Sequence, residues 1–165
     1  IWPLFVSLTI FTTNTYAAVG LLISISTLAT LLAIYSIGKL IDDHRGGLLL
    51  RVGAISNAII HFFRIFISTP AQALFIGFIN EPATASFRMP YFKGLYDSAD
   101  SVAGYRIVYL TLCDLIRMLG TLIFWCFAYL LTILIDSNLL IFQILFVVGG
   151  ISSFGIMLQR FPALR

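Results

Sequence analysis

A chain of 165 residues that is 60% hydrophobic and only 10% charged is not a water-soluble domain, because such domains carry roughly 25% charged residues to cover their surface. Its mean hydropathy of +1.03 makes a lipid bilayer the expected partner. The net charge of +3 is no nucleic-acid signal, since the basic residues stand singly near loop ends and form no patch that tracks phosphates.

In chain order, six apolar stretches are predicted, over residues 1–13, 16–41, 47–68, 70–96, 102–135 and 139–159. Helices are expected, not barrel strands. Barrel strands alternate apolar and polar residues over about ten positions, whereas residues 139–155 are apolar almost without a break. In lipid every backbone N–H and C=O needs a partner, and a helix supplies it within one segment. The first stretch is shorter than the ~20 residues of a spanning helix. It opens on Ile1-Trp2-Pro3, with no basic leader and no small-residue cleavage site, so it does not read as a signal peptide. A first helix truncated at its cytoplasmic end is expected, and with it a fragment of a longer protein. The stretch 102–135 is long enough to tilt or protrude. No linker interrupts the series, so residues 1–165 read as one membrane domain.

Charge falls in every second connection. Lys39, Arg45 and Arg51 follow the second stretch, Arg88, Lys93 and Arg106 surround the end of the fourth, and Arg160 and Arg165 follow the sixth. Residues 12–16, 68–70 and 136–138 hold no Lys or Arg. Cytoplasmic loops are rich in Lys and Arg because this bias sets orientation during insertion. The even connections and the C-terminus are therefore expected in the cytoplasm, in a multi-pass protein of the cytoplasmic membrane. Cys113 and Cys126 lie in one predicted helix, roughly 20 Å apart at the helical rise, beyond disulfide reach. They lack metal-site spacing and read as packing residues. No metal or cofactor is expected.

The second connection carries Gly38-Lys39-Leu40-Ile41-Asp42-Asp43-His44-Arg45-Gly46-Gly47. It resembles the signature loop of the major facilitator superfamily of secondary transporters, a Gly, an Asp four residues later, then basic residues and another Gly. Gly38 and Asp42 match. Asp43 stands where a basic residue is usual, and Arg45-Gly46-Gly47 replaces the expected Gly and following bases. The resemblance implies an all-α integral membrane protein, a six-transmembrane-helix bundle that is one half of such a transporter. Members have two six-helix halves, each with this loop after its second helix. The short basic tail and the helix-like opening point to the C-terminal half, whose partner would be the missing six-helix half of the same polypeptide. Gly38 is expected to let two helices approach closely. Asp42 is expected to hold one conformational state through the cytoplasmic end of a neighbouring helix, near Arg106 or Arg117. The plain alternative is a solvated turn.

Ionisable residues within apolar stretches are costly and usually face protein or water. Glu81 is the deepest, in Ile79-Asn80-Glu81-Pro82, where the proline frees a carbonyl one turn back. It is a candidate for contact with substrate or for a coupling proton; the alternative is an interhelical pair with Arg64 or His61. Asn57, His61 and Arg64 are spaced four and three residues apart, on one helical face, and face either a substrate or neighbouring helices; Arg64 could simply snorkel towards the outer connection. Asp114 and Arg117, three apart, favour an intrahelical pair, at a cytoplasmic gate or merely self-neutralised. The hydroxyls of stretch two, Ser24 to Ser36, read as packing, and the aromatics as lipid-facing bulk.

No Ser-His-Asp set, phosphate loop or two-histidine metal motif is present, so the chain does not read as an enzyme. The expected function is half of a secondary transporter moving an unidentified small solute by alternating access, cation-coupled if Glu81 carries a proton. The alternatives are a structural or scaffold membrane subunit and, with less support, a membrane phosphotransferase.

Overall fold

A computed structural model describes residues 1–11, 14–159 and 161. Thr12 and Thr13 at the end of the first stretch, and Arg160 and Arg165 of the basic tail, lie outside the described residues. The described chain is helical without strands: α1 is Trp2–Thr9, α2 Thr15–Leu40, α3 Gly46–Phe63, α4 Pro70–Asp100, α5 Arg106–Leu134 and α6 Asn138–Met157.

Local chemistry marks the helix ends. The sequence Ser68-Thr69-Pro70-Ala71-Gln72 starts α4 with a reciprocal cap. The Gln72 N–H donates to Thr69 Oγ1 at 3.3 Å, and Gln72 Oε1 accepts from the Thr69 and Ser68 N–H groups at 3.2 and 3.0 Å. Pro70 sits at the first helical position, where its missing N–H has no intrahelical role. Between α2 and α3, residues Ile41–Arg45 form a tight turn in which Asp43 leaves helical geometry (φ −73°, ψ 19°) and His44 is left-handed (φ 60°, ψ 19°).

Side-chain pairings give the helix directions. Gly53 of α3 abuts Phe87 of α4, and Asn57 accepts a hydrogen bond from Thr84, so α3 and α4 are antiparallel. Gly77 meets Leu22 and Ser26, and Ser26 and Thr27 share a cavity wall with Asn80 and Glu81, so α2 runs parallel to α4. The turn at Ile41–Arg45 is therefore a chain reversal. Asn57 reaches Ser153 and His61 abuts Gly149, so α6 is antiparallel to α3. The Trp2 ring lies tilted against Phe146 and Phe5 edge-on to Phe142, so α1 is antiparallel to α6. Ala128 and Leu131 cluster with Ile141 and Leu145, closing an antiparallel α5–α6 hairpin. Successive helices thus alternate in direction. Lys39, Arg45, Arg51, Lys93 and Arg106 gather at one end of the bundle, and the connections at 67–69 and 135–137 lie at the other.

All six expected stretches are helical among the described residues, but not all meet the length and apolarity of a membrane span. Among the described residues, three helical stretches are long and apolar enough to cross a membrane: Thr15–Phe66, Arg106–Leu134 and Asn138–Met157. The first contains both α2 and α3, because 52 residues in one straight helix would run ~78 Å, and the reversal divides it. α1 has eight residues and is too short. α4 is long but too polar, carrying Gln72, Asn80, Glu81, Arg88, Lys93, Asp97 and Asp100. Its position explains the tolerance: α2 and α3 each pack along α4 and barely touch one another.

Small residues set the helix contacts. Ala54, Ala58 and Ala73 have no exposed surface. A Cβ on Gly53 would fall 2.6 Å from the Phe87 backbone nitrogen, so only glycine permits this approach of α3 to α4. Contacts through small residues are how helices associate where apolar surroundings supply no hydrophobic drive. α5 is the least embraced helix. Only Ala128 and Leu131 are buried on it, while Ile107, Leu112, Ile116, Leu119 and Ile123 are exposed.

Candidate functional site

A cavity of about 530 Å³ opens between α1, α2, α4, α6 and the end of α3, with Phe124 and Trp125 of α5 on its wall. That volume falls in the range of small-molecule sites, roughly 300–1,000 Å³. His61, Arg64, Asn80 and Glu81 all line it. The spacing of His61 and Arg64 puts both on one face, and the helix narrows into a 3₁₀ turn at Arg64–Phe66. α4 brings Asn80 and Glu81 to the same space because α2 and α3 hold it between them. The helix runs on through Pro82 and Pro90.

Arg64 does not snorkel. Its residue is only 5% exposed, and its guanidinium lies 4.7 Å from the centre of the Trp2 ring and 5.8 Å from that of Phe146. Its Nη1 lies 3.4 Å from His61 Nδ1. A guanidinium only donates, so Nδ1 accepts and the ring proton of a neutral His61 sits on Nε2. Gly149 of α6 makes room for this ring, with its Cβ position 3.2 Å from His61 Cε1.

The alternative for Glu81, an interhelical lock, has no ion pair behind it. Among the described residues the ion pairs are Arg106–Asp100 and Arg117–Asp114; Glu81 pairs with neither Arg64 nor His61. Its Oε1 accepts from Asn80 Nδ2 at 3.1 Å, and the residue is exposed while lining the cavity. Guanidinium and carboxylate therefore share one cavity without a direct ion pair between them.

Three buried polar atoms have no hydrogen-bond partner among the described residues: Trp2 Nε1, Arg64 Nε and Asn80 Oδ1. All three belong to residues of this one cavity. Buried polar groups are nearly always paired, and each exception calls for a water, an ion or a ligand. The set comprises two donors and one acceptor.

Asn57 is elsewhere. Its Nδ2 donates to Ser153 Oγ at 2.9 Å and its Oδ1 accepts from Thr84 Oγ1 at 3.3 Å. Both ends of the amide are used in joining α3 to α6 and α4. Sequence periodicity placed it on the face of His61 and Arg64 without distinguishing this packing role.

The loop residues stand apart from the cavity. Asp42, Asp43 and Arg45 are exposed and make no ion pair among the described residues. Arg106 and Arg117 pair instead with Asp100 and Asp114, both nearer in sequence. A Cβ on Gly38 would meet nothing within 4 Å, so close helix approach is not its role within this chain. Asp114 and Arg117 form the expected intrahelical pair, with Nε and Nη2 donating to Asp114 Oδ1 at 2.9 and 2.7 Å. Both line a second cavity, of about 580 Å³, between the C-terminal half of α4 and the N-terminal half of α5. They are exposed, so the pair adds little stability.

The hydroxyls of α2 behave as packing groups. Ser24, Ser26, Thr27 and Thr30 each donate to the carbonyl four residues back, at 2.8–3.1 Å. The aromatics need correction. Trp2, Phe5 and Phe146 are at most 9% exposed and build the inner wall around Arg64. No local signal separates them from lipid-facing rings, because their burial depends on α1 meeting α6. Comparison of the chain with protein-family models, curated proteins and solved structures finds no match.

Proposed function

We propose that this chain is an integral membrane protein and one six-helix half of a secondary transporter of the major facilitator type, with its solute site in the cavity of Arg64, Asn80 and Glu81. The observation that carries this reading is a set of buried polar atoms without hydrogen-bond partners, all on residues that line one cavity. A scaffold subunit has no use for such a set, because unpaired polar atoms only subtract from its stability. Alternating helix directions place the basic connections at one end, as the positive-inside bias requires of a cytoplasmic face. The exposed apolar side of α5 suits contact with lipid, and the exposed Glu81 suits contact with a second bundle. Alternating access then consists of rocking the two bundles about a fixed central site. Asp42 and the Asp114–Arg117 pair lie at the basic end, where the cytoplasmic gate of such a transporter would be.

Orientation is tested by labelling. Single cysteines at Arg45 and Ser98, in a chain cleared of Cys113 and Cys126, should react with an impermeant maleimide only from the cytoplasmic side. A cysteine at Thr69 should react only from outside. Labelling of Arg45 and Thr69 positions from one side would overturn the topology.

Transport is tested at Thr27, an exposed residue on the cavity wall. Under alternating access a Thr27→Cys cavity cysteine should react from either side of sealed, oriented vesicles, each side in turn. A scaffold predicts reaction from one side or from none, and that outcome would overturn the transporter reading.

A further inference from the structure

Within the solute site proposed above, on which this inference rests, we propose that the ligand is a zwitterion of the α-amino-acid type with an apolar side chain. Three observations lead there. First, the cavity holds one guanidinium and one carboxylate, Arg64 and Glu81, that do not pair with each other. A cavity that holds one charge of each sign without a direct ion pair is matched by a ligand carrying both opposite charges; a simple anion would leave Glu81 facing like charge, and a simple cation would leave Arg64 so.

Second, the unpaired atoms are sorted in the same sense. Trp2 Nε1 and Arg64 Nε are donors that lack an acceptor, and the two side chains are stacked together. A ligand carboxylate accepts from both. Asn80 Oδ1 is an acceptor that lacks a donor, and its amide nitrogen already donates to Glu81. A ligand ammonium donates to Asn80 Oδ1 and to the Glu81 carboxylate beside it. One zwitterion offers an acceptor to Trp2 and Arg64, a donor to Asn80 and a counter-charge to each ionised residue of the lining. Neither a carboxylate nor an amine alone does so.

Third, the rest of the wall is mostly apolar, with Leu22, Ile23, Phe124, Leu145 and Phe146 beside the hydroxyls of Ser26 and Thr27 and the His61 ring. It has no further charged group for a polar ligand side chain, whereas an aliphatic or aromatic one buries its surface there. The volume of about 530 Å³ leaves space for a ring.

The test uses three ligands that share one phenyl-ethyl body and differ only in charge: L-phenylalanine, phenylpropionate and phenethylamine. The chain contains two tryptophans, Trp2 and Trp125, and both line the cavity. Their fluorescence in nanodisc-embedded full chain therefore reports occupancy directly. Phenylalanine should act at concentrations about tenfold to a hundredfold lower than either analogue, the range for losing one charge-assisted hydrogen bond set. Glu81→Gln, a change at an exposed residue, should shrink the advantage of phenylalanine over phenylpropionate to within about threefold. Phenylpropionate acting as well as phenylalanine would overturn the zwitterion in favour of an anion, and phenethylamine doing so would overturn it in favour of a cation. Selectivity that survives Glu81→Gln would overturn the assignment of Glu81. Silence towards all three would remove the zwitterion, whereas loss of two-sided labelling at Thr27 would remove the transporter reading, so the two failures are told apart.

Discussion

Replacing Gly53 by leucine should prevent the bundle from assembling, while the same change at Gly38 should leave it folded. Both residues are helical glycines in apolar sequence, yet their surroundings differ. A Cβ at position 53 would lie 2.6 Å from the Phe87 backbone nitrogen and 2.9 Å from the Ser86 carbonyl carbon. Backbone atoms of a packed helix cannot rotate aside, so α3 and α4 must separate. The first methylenes of such overpacking cost typically 1–3 kcal/mol. Separation would also stretch the Asn57 hydrogen bonds to Thr84 and Ser153, each a few tenths to ~1.5 kcal/mol. At Gly38 nothing lies within 4 Å, and leucine is a better helix former than glycine by roughly 0.5–1 kcal/mol. Size-exclusion profiles and thermal unfolding in detergent check both. A monodisperse Gly53→Leu protein with unchanged melting would show that the α3–α4 contact is not as tight as described.

Arg64→Ala and Glu81→Gln should separate just as clearly. Arg64 is buried against Trp2 and Phe146 and anchors α1 to the rest of the bundle. Its loss removes cation–π contacts worth ~2 kcal/mol where desolvated and leaves a void between α1, α3 and α6. A markedly lower melting temperature is expected, together with faster proteolysis near α1. Glu81 makes no ion pair, and a glutamine oxygen can still accept from Asn80 Nδ2, so its replacement should change stability by less than about 0.5 kcal/mol. The contrast decides between two roles for the carboxylate. If Glu81 locked α4 to α3 through Arg64, the two single variants would be comparably destabilised and the double variant would recover stability, as a double-mutant cycle reads it. Recovery of that kind would return Glu81 to a structural role and deprive the cavity of its unpaired negative charge.

The second prediction also separates what was legible in the sequence from what was not. Helix positions follow from local runs: stretches at 16–41, 102–135 and 139–159 became α2, α5 and α6 with ends displaced by four residues at most. Caps were equally local, as at Thr69, where the side chains that satisfy the first N–H groups are three residues apart. Alternation of basic and non-basic connections was visible before any fold was known. Residues 70–96 were read as an apolar stretch, although the polar residues of α4 make it, unlike α2 and α6, fall short of an apolar span.

Contacts between distant residues were not legible. Trp2 and Arg64 are far apart in sequence, and no spacing rule joins them; the stack exists because α1 and α3 both pack on α6. Asn57 shares a face with His61 and Arg64, but one helix turn is enough to move it from the cavity to a position where Ser153 and Thr84 use both ends of its amide. Glu81 was expected to be paired if structural, and no spacing rule told that its carboxylate would accept from Asn80 and form no ion pair. The sequence by itself determined that the chain is helical, which segments are apolar enough for lipid, and where positive charge alternates, because each depends on residues within a few turns of one another. Tertiary structure alone decided which polar atoms remain unpaired, since an unpaired atom is defined by the absence of every partner in space and not by any neighbour in the chain.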